Sequence, residues 1–139
     1  MGRNIRNAVF TRDDTTAGYT VAASTITTTM VTPAVGARVI RWGLHSSAIG
    51  VGNDTVTATL LEKGDANTAA NRLAQLTFVP DLTTANLSFA NYGPGLRLGS
   101  GVETKTEGKL LNIDFAKAGA ADSFVTMSTS FTTWVLWSL

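Results

Sequence analysis

The chain has no cysteine and a single histidine. No disulfide, thiolate nucleophile, zinc ribbon or iron–sulfur cluster can form, and multi-histidine metal sites are excluded. Charge is scarce as well. Charged residues make up 15% and the formal net charge is +1, against an ordinary share of about a quarter. A disordered charged tail does not fit that composition, and a dedicated nucleic-acid reader would need a broader basic footprint. No run of about 18 apolar residues occurs, so no membrane-spanning helix is expected. The N-terminus carries Arg3 and Arg6 but no apolar signal-peptide core behind them. Gly2 is followed by Arg6 where a myristoylation signal has Ser or Thr. These absences predict a soluble protein made in a cytoplasm, with no cofactor and no enzymatic activity.

What is abundant is threonine, with 22 copies. Threonine is β-branched and suits a half-exposed pleated surface. No segment sustains a 3.6-residue apolar period. The best helical candidate, Asp65 to Gln75, lacks a wide apolar face and follows Gly64, which favours a loop or single turn. Strand patterns recur instead. Tyr19 to Val31, Thr55 to Leu61, Leu73 to Val79, Asn86 to Ala90 and Leu110 to Phe115 alternate or are rich in β-formers. Ala37 to Ser46 places Val39, Arg41, Gly43 and His45 on one face and Ile40, Trp42 and Leu44 on the other. Val102 to Thr106 alternates charge with Thr, and Ser123 to Ser138 holds one long strand or a broken one. Turn chemistry separates them: Gly50-Val51-Gly52-Asn53-Asp54, Lys63-Gly64-Asp65, Tyr92-Gly93-Pro94-Gly95, Gly99-Ser100-Gly101 and Glu107-Gly108-Lys109. The expected fold is all-β: an antiparallel, jelly-roll-like β-sandwich of about eight strands over 18–139, behind an extended N-terminal arm at 1–17.

Each constellation that might carry chemistry has a plainer reading. His45 lies beside Ser46 and Ser47, but strand neighbours point to opposite faces and no nucleophile elbow surrounds either serine. The glycine-rich stretch from Gly93 to Gly101 is followed by a strand pattern, so no helix N-terminus is there to hold a phosphate. Asn53, Asp54, Asp65 and Asn67 are too few for calcium and suit turn capping. Asp13-Asp14 and Glu103 are the remaining carboxylates that might pair for hydrolysis. The first pair falls in the arm, and Glu103 alternates with Lys105 as a solvated strand face would. The sequons at Asn53 and Asn86 are read as chance without a secretory signal. Arg3, Arg6 and Arg12 form the only basic cluster, suited to an arm that orders on a partner surface or, equally, to a plain solvated tail. Trp42, Trp134 and Trp137, with His45, are assigned to the core or a subunit interface. Trp134 and Trp137 are three apart and so face opposite sides of a regular strand.

One order of segments looks familiar. Val39-Ile40-Arg41-Trp42-Gly43-Leu44-His45-Ser46-Ser47-Ala48 precedes Thr55-Val56-Thr57-Ala58-Thr59-Leu60-Leu61, then Leu76-Thr77-Phe78-Val79-Pro80, then Gly93-Pro94-Gly95-Leu96-Arg97-Leu98-Gly99-Ser100-Gly101-Val102. The chain closes on an aromatic strand. Across about residues 38–137 this resembles the small β-sandwich virion proteins of tailed bacteriophages, the capsid decoration or cement class. The resemblance implies a homotrimer seated on the lattice of a major capsid protein, stabilising the head, on the capsid surface of a virion made in the host cytoplasm. The alternatives are a receptor- or carbohydrate-binding module of a phage tail or fibre, and a self-assembling coat protein.

Overall fold

The structure is a computed structural model that describes residues 8–13, 19–20, 23–46, 50–52, 56–78, 88–91, 101–117, 125–127 and 131–139. The described residues form strands and turns only. In chain order the strands are β1 (Ala8–Asp13), β2 (Tyr19–Thr20), β3 (Ala23–Val31), β4 (Arg38–Ser46), β5 (Gly50–Gly52) and β6 (Val56–Glu62). They continue as β7 (Ala74–Phe78), β8 (Ser88–Asn91), β9 (Leu110–Lys117), β10 (Val125–Met127) and β11 (Phe131–Ser138). Two four-stranded antiparallel sheets, β1-β11-β4-β8 and β3-β9-β6-β7, hold eight of them. The short strands make a third sheet, β2-β10-β5.

The pairing is nested. Among the eight strands of the larger sheets, the first pairs with the last (β1 with β11), the second with the seventh (β3 with β9), the third with the sixth (β4 with β8) and the fourth with the fifth (β6 with β7). Two further ladders, β11 with β4 and β6 with β9, join these pairs into sheets. The short sheet keeps the registers of its longer neighbours. Asp13 faces Thr133 in one ladder, and Thr20, seven residues on, faces Thr126, seven residues back. Likewise Ser46 faces Phe131 and Gly50 faces Met127.

One apolar core lies between the two large sheets. Val39, Trp42, Leu44, Val135 and Trp137 come from the first, and Ala58, Leu60, Ala74, Leu76, Leu111, Ile113 and Phe115 from the second, with Met30, Ala37 and Leu73 completing it. The alternation of β9 does what its sequence predicts: Leu111, Ile113 and Phe115 all point inward. Each such side chain contributes about 1.5–3 kcal/mol of transfer free energy. In β4 the pattern breaks. Val39 faces Trp137 and Arg41 faces Leu136, so Ile40 is an extra residue in a β-bulge. The bulge resets the alternation, and Val39, Trp42 and Leu44 all reach the core where strict alternation sets Val39 against the other two.

Burying two tryptophans requires two acceptors for their N–H groups. Trp42 Nε1 donates to Thr133 Oγ1 at 2.8 Å, and that hydroxyl donates in turn to the Gly43 carbonyl at 3.0 Å. Trp137 Nε1 donates to Thr11 Oγ1 at 2.9 Å. Thr11 belongs to β1, inside the stretch read as an arm. That expectation is corrected for Ala8–Asp13: these residues are an edge strand laddered to β11. Asp13 is buried, and its Oδ2 accepts the Thr29 N–H at 2.7 Å. Thr29 lies where the β3–β9 register shifts, so the carboxylate satisfies a donor close to that break in the ladder.

The end of the sandwich where β3 passes to β4 is closed by side chains rather than strands. Glu62 is buried and accepts the backbone N–H of Lys105 at 2.9 Å and of Thr106 at 3.1 Å. Thr104 Oγ1 accepts the Ala37 N–H at 2.9 Å and donates to the Ala34 carbonyl. Thr32 Oγ1 donates to the Thr106 carbonyl and accepts the Lys109 N–H. The strand expected at Val102 to Thr106 is therefore an irregular segment with its backbone tied to buried polar side chains. Asp65 to Gln75 forms turns leading into β7, with Gly64 at φ 94°.

Two outcomes follow. Thr133→Val keeps the shape but leaves the Trp42 N–H without its acceptor. It should lower unfolding free energy by about 1–3 kcal/mol in urea titration, whereas Thr57→Val in the half-exposed pair with Thr77 should change it by less than about 0.5 kcal/mol. Deleting residues 1–13 removes β1, the acceptor of Trp137 and the Asp13 carboxylate together. The truncated chain should lose cooperative thermal unfolding by circular dichroism, and a chain starting at Ala8 should keep it.

Candidate functional site

The outer face of the first sheet carries an organised cluster of aromatic and cationic side chains. Trp134 sits in the middle strand, between Arg12 of β1 and Gly43 of β4 in register. A side chain at position 43 has no room: a Cβ there would fall 2.3 Å from the Trp134 ring. The indole therefore lies against the backbone of β4, and glycine is what permits that approach. Phe10 stacks against Trp134 at 6.0 Å between centroids and an interplanar angle of 26°. The guanidinium carbon of Arg41 stands 5.5 Å from the same ring's centroid. Three strands thus present Arg41, Trp134 and Phe10 as one row, with Phe10 58% exposed and Arg12 exposed beside it. Aromatic residues and arginine held in fixed geometry are the side chains that dominate protein–protein contacts.

The residues singled out in the sequence separate accordingly. Trp42 and Trp137 are wholly buried in the core. Trp134 lies on the opposite face from Trp137. Neither core tryptophan offers a ring to a sugar. His45 is in β4, facing Thr132 and Ser88. Arg12 is at the exposed surface of β1, and Arg3 and Arg6 fall outside the described residues. So do the glycine-rich stretch Gly93–Gly99, the Asn53–Asp54 pair and the asparagines of both sequons. Asp65 and Asn67 are engaged locally: Asn67 Oδ1 accepts from Arg72 Nε at 2.8 Å, and Asp65 pairs with Lys105. Glu103 pairs with Arg38 at 3.2 Å. Among the described residues no group of three His, Asp or Glu side chains is placed to hold a metal ion. Also among them, no helix is long and apolar enough to cross a membrane.

Sequence reasoning does not reach Phe10 or Gly43. The alternation from Ala8 to Phe10 is too short to distinguish from an arm, and a glycine in a strand signals close approach without saying of what. It also misses Glu62 as a buried clamp. That carboxylate ends a Thr- and Leu-rich strand where a solvated charge is the ordinary reading.

No protein-family model matches the chain, and no curated protein matches its sequence. Among solved structures, the chain is similar to one titled "Cyanophage Pam1 capsid asymmetric unit". That likeness has 18% sequence identity and a TM-score of 0.51, and covers 96% of this chain and 85% of the other. It is a likeness of fold.

Proposed function

We propose that the protein is a non-enzymatic structural subunit of a virus particle, a decoration or cement protein that binds the lattice of a major capsid protein at the capsid surface and stabilises the head. The observation that carries this reading is the shared fold with a chain of a cyanophage capsid, extending over nearly the whole molecule. The nested pairing of first strand with last, second with seventh, third with sixth and fourth with fifth supports a jelly roll, a double-sheet fold found among viral capsid domains. The absence of cysteine and the single histidine agree with a part that performs no covalent catalysis on a substrate. A homotrimer is the assembly the resemblance implies, since a trimer covers sheet edges otherwise free to pair, and weak contacts repeated over a shell sum to high avidity. We place the shell contact on the outer face of the first sheet, at Phe10, Trp134 and Arg41, with Arg12 beside them and Arg3 and Arg6 preceding β1. The sugar-binding alternative loses support, because Trp42 and Trp137 are buried.

The test mixes purified protein with capsid shells lacking it, and follows co-sedimentation alongside its solution mass. Saturable binding by a trimer is expected, and Phe10→Glu, an exposed change that leaves the core intact, should weaken it at least tenfold. No binding to any shell, or closed particles formed by the protein alone, would overturn the decoration role.

A further inference from the structure

At the closed end of the sandwich, three side chains from separate turns meet in an arrangement suited to forming a covalent bond. Lys105 Nζ is 2.9 Å from Asn71 Oδ1 and 2.7 Å from Asp65 Oδ2. The amide of Asn71 is held at both ends, because its Nδ2 donates to the Ala66 carbonyl at 2.9 Å. The backbone of Lys105 is fixed by the buried carboxylate of Glu62, and that of Asn71 by its N–H bond to the Thr68 carbonyl at 2.9 Å. The Lys105 amine therefore sits beside the Asn71 carbonyl carbon on a pre-organised frame. A carbonyl bond of about 1.2 Å puts that carbon no more than about 4 Å from Nζ, close to the separation of about 3–3.5 Å from which bonds form. Asp65, 2.7 Å from Nζ, stands where a proton leaving the amine can be taken up.

We propose that Lys105 and Asn71 join through an isopeptide bond, assisted by Asp65. The Nζ–Cγ bond forms, the Cγ–Nδ2 bond of Asn71 breaks, and ammonia leaves carrying the proton from the amine as ammonium. Nothing is oxidised or reduced, and no co-reactant is needed. The product ties the 62–73 turns to the 101–109 segment, two stretches held otherwise by hydrogen bonds and ion pairs. In a chain with no cysteine it does the work of a disulfide, closing a loop that reduction does not open. The inference stands on these residues alone and does not depend on the virion reading.

Intact-mass spectrometry of the full chain is the test. A fraction of the protein should be lighter than its sequence mass by one ammonia, about 17 Da. That fraction should grow with time and with rising pH, because the attacking amine must be neutral. Proteolysis should release a branched peptide joining the segments that hold Asn71 and Lys105. Lys105→Arg keeps the cation but cannot form the bond, and should retain the full mass, as should Asn71→Ala. Asp65→Asn should slow the change at least tenfold. Full mass in the wild-type chain after prolonged incubation at alkaline pH would overturn the proposal. So would an equal loss of mass in Lys105→Arg.

Discussion

Two indole N–H groups sit between the sheets, and each must find an acceptor where no water reaches. Trp42 finds Thr133 and Trp137 finds Thr11. The first bond ties the strands of one ladder together. The second reaches from the last long strand to the first, across 126 positions of sequence. A buried donor left unpaired costs about as much as a large fraction of a domain's net stability. The arrangement of β1, β11 and β4 is therefore fixed by more than ladder bonds. If β1 is displaced, Trp137 loses its acceptor and the Thr29 N–H loses Asp13 at the same moment.

The abundance of threonine takes on meaning in this setting, because its copies do different jobs. On the second sheet's outer face, Thr25 donates to Asp114, Thr57 pairs with Thr77 and Thr59 accepts from Gln75. The first two are cross-strand pairs that stabilise a wet β surface, while Thr59 is itself buried and takes the Gln75 amide in place of water. In the interior the same residue completes backbone hydrogen bonding where a ladder stops. Thr28, Thr32 and Thr104 each accept a backbone N–H and donate to a carbonyl. A hydroxyl both donates and accepts, so one buried threonine can satisfy two orphan groups left at a bulge or a loop. That allows the segment 101–109 to pack without being a strand.

This division of labour explains what could and could not be read from the sequence. Leu111, Ile113 and Phe115 announce a buried face because nothing interrupts β9's alternation. Ala58 and Leu60 do the same for β6. Val39 is misread because the extra residue at Ile40 resets the period, and a bulge leaves no compositional mark. β1 is missed because only Val9 among its inward residues is apolar, and the other two, Thr11 and Asp13, are polar residues that count as surface until their partners are known. Glu62 is missed for the same reason. The candidate surface was half legible: Trp134 had to oppose Trp137, but Phe10 and Gly43 join it only through the pairing of strands far apart in the chain.

The nested pairing sets a physical requirement that bears on function. Every long ladder but one joins segments separated by many residues, and such contacts form only after large loops close. A chain that accepts this cost ends with both termini's strands, β1 and β11, locked side by side in one sheet. The outer-face row of Phe10, Trp134 and Arg41, of which Phe10 is the exposed member, is assembled from that same pairing, with one member each from the first strand, the last strand and β4. No member can be presented correctly unless the whole sandwich has closed. A surface that exists only in the finished fold is suited to reporting that fold to a partner, since an unfolded or partly folded copy offers nothing to bind. On the capsid role proposed above, with this row as the contact, that coupling would keep defective copies out of the assembly.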